Sequence, residues 1–196
     1  MSIKLDFENF IWHSCAIEEV WPPEVETDMR EEIKMAILGE RYVYDQDIKG
    51  HMRGWKYIQR IKRPTVAQVN ELHKTMFEFC DIDCVPGMMR NLDKNIVKVN
   101  KDYFAPHPDK VVELLNKWVE FEGEPIERHI LFEHIHPFTD GNGRVGRLML
   151  AAEASFRKAT FKYENREKYF KLFNSESRRA VLTKAGIRKD YGKDKK

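Results

Sequence analysis

The 196-residue chain is short of cysteine, of long apolar runs and of any excess of one charge. Its longest uninterrupted apolar stretch, Leu148 to Ala152, falls far below the ~20 residues that a bilayer-spanning helix requires, so no membrane partner is expected. The opening MSIKLDFENF carries charges where an export signal would have its apolar core, which points to a soluble, cytoplasmic protein. Cys15, Cys80 and Cys84 are odd in number, and the last two lack a second pair to complete a zinc site, so reduced thiols are expected. Lysine and arginine number 34 against 32 acids, and the net charge of +2 supplies no global field for nucleic acid. With only 10 glycines and 8 prolines, a collagen-like chain is also excluded.

What is present suits one packed domain. Apolar residues make up 42% of the chain, and charged residues 34%, above the roughly 25% usual for soluble proteins. The periodicity is mostly helical: a first helix through Phe7, Phe10, Ile11, Ser14 and Ile17 ends at Trp21-Pro22-Pro23, and others span Asp28 to Leu38 and about Asp45 to Lys62. Thr65 with Gln68 forms a capping-box signature for a helix through Phe79, Pro108 suits the first turn of a helix through Glu122, and Glu124 opens one to Ile135. Residues 87–100 break the pattern, with a turn at Asn91 to Asn95 and a short strand at Ile96 to Val99. The fold expected is therefore all-α with a small β-hairpin, in one domain over 1–174. Residues 178–196 hold eight Lys/Arg against two acids, and 175–196 reads as a helical to disordered, solvated basic tail.

The chemistry concentrates in HIHPFTDGNGRVGRLML, residues 134–150. Gly141 and Gly143 around Asn142 demand a tight loop, and the apolar spacing of Val145, Leu148, Met149, Ala152 and Phe156 makes the next stretch a helix. Arg144 and Arg147 fall in its first turns, where the helix dipole disfavours a cation by roughly 0.3–1 kcal/mol. Their placement, with exposed amides and a glycine nest, describes a polyphosphate cradle. Asp140 offers a hard oxygen suited to Mg²⁺, and His136 can take a proton near neutral pH.

Residues 136–147 resemble the Fic motif HxFx(D/E)GNGRxxR at every specified position, and a chance match is roughly 10⁻¹⁰ per starting point. Gly87-Met-Met-Arg90 before the hairpin and Arg166-Glu-Lys-Tyr169 downstream extend the likeness over about residues 5–174. The resemblance implies a protein adenylyltransferase that moves AMP from ATP to a Ser, Thr or Tyr hydroxyl of a target protein. His136 would be the general base, Asp140 the Mg²⁺ ligand, and Phe138 a buried anchor. Gly141, Asn142 and Gly143 would line the anion hole, with Arg144 and Arg147 on the outer phosphates. The hairpin would be a flap that grips the target by strand addition. An intact Gly143 separates the chain from the family's kinase-like branch, and Tyr169 is a candidate for contact with adenine.

Many such proteins resemble a self-inhibited enzyme, in which the glutamate of (S/T)xxxE(G/N) occupies the second motif arginine. Ser14 and Glu18 match that pattern at the N-terminus, with Glu19 where Gly or Asn is usual; Thr160 to Asn165 fits the letters but falls in an expected connecting loop. A carboxylate on Arg147 would compete with phosphate for the same fork. Other readings stay open: a nucleotide sensor or nucleic-acid-binding module that needs no base, removal of AMP, transfer of another nucleotide, or a metal hydrolase using His129, His134 and His136. A homodimer that buries Glu18 and a translocated effector are likewise consistent with the sequence.

Overall fold

A computed structural model describes residues 7–17, 26–38, 45–91, 97–100, 103–156 and 166–187. The first four helices are α1 (Phe7–Ile17), α2 (Glu26–Leu38), α3 (Gln46–Ile58) and α4 (Val66–Phe77). A ribbon of β1 (Lys98–Asn100) and β2 (Tyr103–Phe104) precedes a single 3₁₀ turn at Pro108–Lys110. Then come α5 (Val111–Glu120), α6 (Pro125–Ile135), α7 (Asn142–Phe156), α8 (Arg166–Lys171) and α9 (Ser175–Lys184). The all-α architecture with a small hairpin is as the periodicity demands. No helix among the described residues is long and apolar enough to cross a membrane.

Helix starts follow side-chain chemistry. Asp45 caps α3 by accepting the N–H groups of Asp47 and Ile48. Thr65 and Gln68 satisfy each other's backbone at the start of α4, the reciprocal box expected from their spacing. Glu127 reaches back to the Glu124 N–H at 2.8 Å ahead of α6, and Asn174 accepts from Glu176 and Ser177 at α9.

The core is built around α6 and α7. Every residue of α6 from Arg128 to Ile135 is buried, because α5, α7 and α9 close on it. A helix enclosed on all sides shows no apolar stripe, and the polar residues it carries must find partners inside. Arg128 does so through Nε and Nη1. Its Nε donates to both Glu153 carboxylate oxygens at 2.9 and 3.0 Å, its Nη1 to the Trp118 and Phe121 carbonyls at 2.7 Å, and its guanidinium lies 4.3 Å over the Trp118 ring. One side chain thereby ties α5, α6 and α7 together.

Two expectations need correcting. The strand read at Ile96 to Val99 is displaced: β1 begins at Lys98 and pairs antiparallel with β2, downstream of the 87–100 segment, with Lys98 opposite Phe104 and Asn100 opposite Tyr103. The anchor is Tyr103, buried against α6, which pulls its strand onto the helices. The turn read at Asn91 to Asn95 lies outside the described residues apart from Asn91. Residues 175–187, expected as the helical start of a solvated basic tail, are indeed helical in α9, but they are not solvated throughout: Val181, Leu182 and Ile187 lie in the core. The high basic count masked an amphipathic helix whose outer face carries the charges, among them Lys184 paired with Glu127 at 2.6 Å. Residues 188–196 lie outside the described set.

Candidate active site

The site begins where α6 stops. His136 adopts the left-handed conformation, φ 50° and ψ 62°, and its N–H closes the helix on the Phe132 carbonyl at 2.9 Å. A non-glycine residue held there costs on the order of 1–3 kcal/mol, so its surroundings must enforce it. Arg90, buried from solvent, supplies the clamp: Nε donates to the His136 carbonyl at 2.6 Å, Nη2 to Ile135 at 3.0 Å, and the backbone N–H to Pro137 at 2.9 Å. Three consecutive carbonyls around the turn are fixed by one residue that precedes the hairpin.

The loop after His136 is braced from two sides. Phe138 is fully buried and stacks on His73, ring centroids 3.8 Å apart. His73 Nδ1 accepts the Gly87 N–H at 2.8 Å, which puts the ring proton on Nε2 and lets it donate to the Asp140 carbonyl at 3.1 Å. Burial keeps that imidazole neutral, its pKa pushed down to about 4. The Asn142 side chain closes the loop across its base, accepting from the Phe138 N–H and donating to the Phe138 carbonyl, both at 2.9 Å. Gly141 is a necessity twice over: its φ is 78°, and a Cβ would lie 2.6 Å from the Phe77 ring. Asn142 then starts α7, whose first amides have no intrahelical acceptor.

The two motif arginines take different places. Arg144 is held against α3, where Nη1 donates to Asp47 Oδ1 at 2.5 Å, while Nη2 stands 3.5 Å from Asp140 and the guanidinium lies 4.6 Å over Phe77. Arg147 is buried and engages α1: Nε donates to Ser14 Oγ at 3.1 Å and Nη2 to the Ser14 carbonyl at 3.0 Å. Its Nη1 reaches the Tyr169 hydroxyl at 3.4 Å. Behind Ser14, His51 Nδ1 donates to the Asp47 carbonyl at 2.7 Å, so its Nε2 accepts the serine hydroxyl at 2.8 Å. Glu18, the carboxylate expected on Arg147, lies outside the described residues.

A cavity of about 430 Å³ opens at this junction. Glu133, His136, Gly143 and Arg147 line it beside Tyr103, Tyr169, Phe170 and Phe173, with Arg178 of α9 stacked 3.8 Å over Tyr103. The motif thus brings His136, Gly143 and Arg147 to one space. Phe138 and Asn142 serve the loop from behind, and Arg144 sits against α3. His134 bonds the Tyr103 hydroxyl at 2.5 Å and His129 the Tyr169 hydroxyl at 3.0 Å, and burial pushes both imidazoles down to about 3. The three histidines of the metal-hydrolase reading are therefore committed to separate partners, and the described residues hold no cluster of three His, Cys, Asp or Glu suited to a metal. Sequence reasoning missed His73, Tyr103 and Arg178, whose roles depend on elements brought together only by folding. Arg90 was marked by its GMMR context, without its clamp.

Fold and site together define a helical domain in which a left-handed histidine and a glycine-rich helix start face one cavity. The chain matches the Fic/DOC family over residues 63–154. It is 27% identical to a protein adenylyltransferase Fic of Nematostella vectensis, over 88% of this chain and 44% of that protein. A probable protein adenylyltransferase of Aquifex aeolicus is 34% identical over 50% of this chain and 27% of its own length. The chain thus spans less than half of these curated relatives. Among solved structures, a Fic domain containing signaling protein from Bacteroides thetaiotaomicron superposes with a TM-score of 0.68 at 16% identity, covering 92% of this chain and 80% of that one. Fic-1 (residues 134–508) from C. elegans gives 0.67 at 18%, covering 94% and 61%. These structural likenesses establish a shared fold.

Proposed function

We propose that the protein is a nucleotidyltransferase that moves AMP from ATP to a Ser, Thr or Tyr hydroxyl of a target protein. The observation that carries this is the meeting of His136, Gly143 and Arg147 at a single cavity beside the start of α7. His136 Nε2 takes the proton of the acceptor hydroxyl as its oxygen attacks the α-phosphorus. The bond from that phosphorus to the oxygen bridging to the β-phosphate breaks, and pyrophosphate leaves. The amides at the start of α7 and the Arg147 fork stabilise charge on the phosphates, which is most of what such a transfer asks of a protein. The aromatic walls offer the nucleotide base a stacking surface. Relatives named protein adenylyltransferase support the reading.

Asp140 fits a Mg²⁺ role: its side chain is 45% exposed at the loop, and Mg²⁺ commonly takes one protein carboxylate with the rest of its shell from phosphate and water. When bound, that ion would neutralise charge on the phosphates. Arg147 meets phosphate only by loosening its hold on Ser14, so α1, with Glu18 beyond it, acts as the brake on the enzyme. The β1–β2 ribbon would dock the target backbone.

The test is mass spectrometry after incubation with Mg-ATP, of the protein alone and with cell lysate, for wild type, Glu18→Gly and His136→Ala. One added AMP, strongest in Glu18→Gly and absent in His136→Ala, is expected. ATP binding without modification in any variant would overturn the transferase in favour of a nucleotide sensor.

A further inference from the structure

The motif leaves two positions unspecified between its arginines, and one of them, Gly146, packs closely against a residue outside it. A Cβ at Gly146 would lie 2.5 Å from Glu133 Oε1 and 2.8 Å from His129 Cε1. So α7 keeps a slot open for a carboxylate on the last turn of α6, and that carboxylate stands beside the base. Glu133 is largely buried, with Oε2 4.0 Å from His136 Nδ1 and Oε1 4.0 Å from His129 Nδ1. His129 and Glu133 lie four apart on one face of α6, and His136 follows three residues later at its left-handed cap.

The protons around this carboxylate can be placed from their partners. His136 Nδ1 faces the Glu133 carbonyl at 3.4 Å and the Glu133 carboxylate, both acceptors, so Nδ1 carries the hydrogen and Nε2 is the unprotonated nitrogen. On the other side Arg147 donates to the Tyr169 hydroxyl oxygen, and with the phenol hydrogen turned to His129 Nε2 the His129 hydrogen lies on Nδ1, toward Glu133. The carboxylate therefore sits between two N–H groups. At 4.0 Å these are through-space attractions rather than hydrogen bonds, and they gain weight in a site screened from water.

The two imidazoles respond differently. His129 is enclosed on every side and stays neutral. His136 opens on the cavity, with 16% of its side chain exposed. Arg147 of α7 and Arg178 of α9 line the same cavity and disfavour a positive charge there, as Tyr169 of α8, a neutral phenol, does not. Glu133 is the acidic group that offsets them.

We infer that Glu133 is a positioning residue for the base, holding the His136 imidazole in the Nδ1–H tautomer and stabilising the imidazolium that forms when the acceptor proton reaches Nε2. The inference rests on His136 being the base, and its test is read without any transfer activity.

Nuclear magnetic resonance of the whole chain labelled with ¹⁵N and ¹³C at histidine resolves the titration of His136, assigned by His136→Asn. In wild type the neutral ring should show an unprotonated Nε2. Glu133→Gln should lower the titration midpoint by about one pH unit, the usual size of an opposite charge at this distance, and weaken the tautomer preference. Glu133→Asp, which keeps the charge, should stay closer to wild type. Melting curves establish that each variant is folded. Should Glu133→Gln not fold, Gly146→Ala reads the same relationship by pushing the carboxylate from its slot, again with a lowered midpoint. An unmoved midpoint and tautomer in the folded variant overturns the inference. A lowered midpoint without AMP transfer in any preparation would uphold the pairing and overturn the transferase, whereas transfer with an unmoved midpoint does the reverse. In an active preparation Glu133→Gln should depress kcat with little change in KM for ATP.

Discussion

Ser14 takes two hydrogen bonds from the guanidinium of Arg147, one on its hydroxyl and one on its carbonyl, across 133 residues of sequence. The same hydroxyl donates to His51, whose other nitrogen is fixed by the Asp47 carbonyl. Helix α1 is therefore latched to an arginine of the proposed phosphate cradle. The latch has a defined polarity at every atom, and each part of it can be removed separately.

Ser14→Ala removes the acceptor for Arg147 Nε and the donor to His51, and spares the carbonyl bond. The loss of these two hydrogen bonds should cost about 1–3 kcal/mol of stability. If the proposed cradle is right, the Arg147 bond alone competes with phosphate, so affinity for Mg-ATP should rise about fivefold, the equivalent of about 1 kcal/mol. Urea denaturation and titration calorimetry check the two halves, and unchanged affinity would mean that α1 does not restrain Arg147.

Gly141→Ala places a methyl against Phe77 at a backbone angle that alanine resists. It should lower stability by about 1–3 kcal/mol and disturb the Asp140 loop together with it. Thermal melting with parallel ATP titration should show both losses, with binding falling more than for a distant substitution of equal destabilisation.

Four buried imidazoles set the response to acid. Burial pushes His51 and His73 down to about 4, and His129 and His134 down to about 3, each below the 6.5 of an exposed histidine. Between those values and 6.5 the unfolded chain binds protons that the folded chain refuses, so stability rises with pH across that window. It should be flat in these groups above about pH 7 and fall by roughly 1 kcal/mol per histidine for each unit below about 6.5. Urea midpoints at about pH 7.5, 6.5 and 5.5 test the sign; equal midpoints would mean the four rings are not held neutral.

Glu153→Ala leaves Arg128 charged and buried without its carboxylate. A loss of about 3–5 kcal/mol is expected, since an uncompensated interior charge is worse than no pair at all. Glu153→Gln, which still accepts a hydrogen bond, should lose less. Denaturant melts rank the two.

The fold was legible where neighbours along the chain cooperate. Thr65 and Gln68 announce α4, Glu124 opens α6, and apolar spacing locates α3 and α7. Legibility failed where distant contacts decide. Lys98 to Asn100 chose Tyr103 and Phe104 as its partner because Tyr103 is tethered to His134 on α6. α9 looked like a charged tail because Val181 and Leu182 are few among its basic neighbours, yet they suffice to seat it on α6.

The sequence alone determined the reactive stretch, since His136 through Arg147 form one unbroken segment whose loop, helix start and side-chain types obey local rules. It also determined the helical class, because the periodicity of buried positions is written residue by residue. Only the tertiary structure decided how those side chains are used: that Arg144 turns to Asp47 and Arg147 to Ser14, that Arg90 holds the left-handed turn, and that Glu133 stands beside His136 in a slot left by Gly146. The reason is physical. A backbone conformation is chosen mainly within a few residues, whereas a buried charge takes whichever partner the packing of distant helices brings within reach, and nothing in the local sequence records that choice.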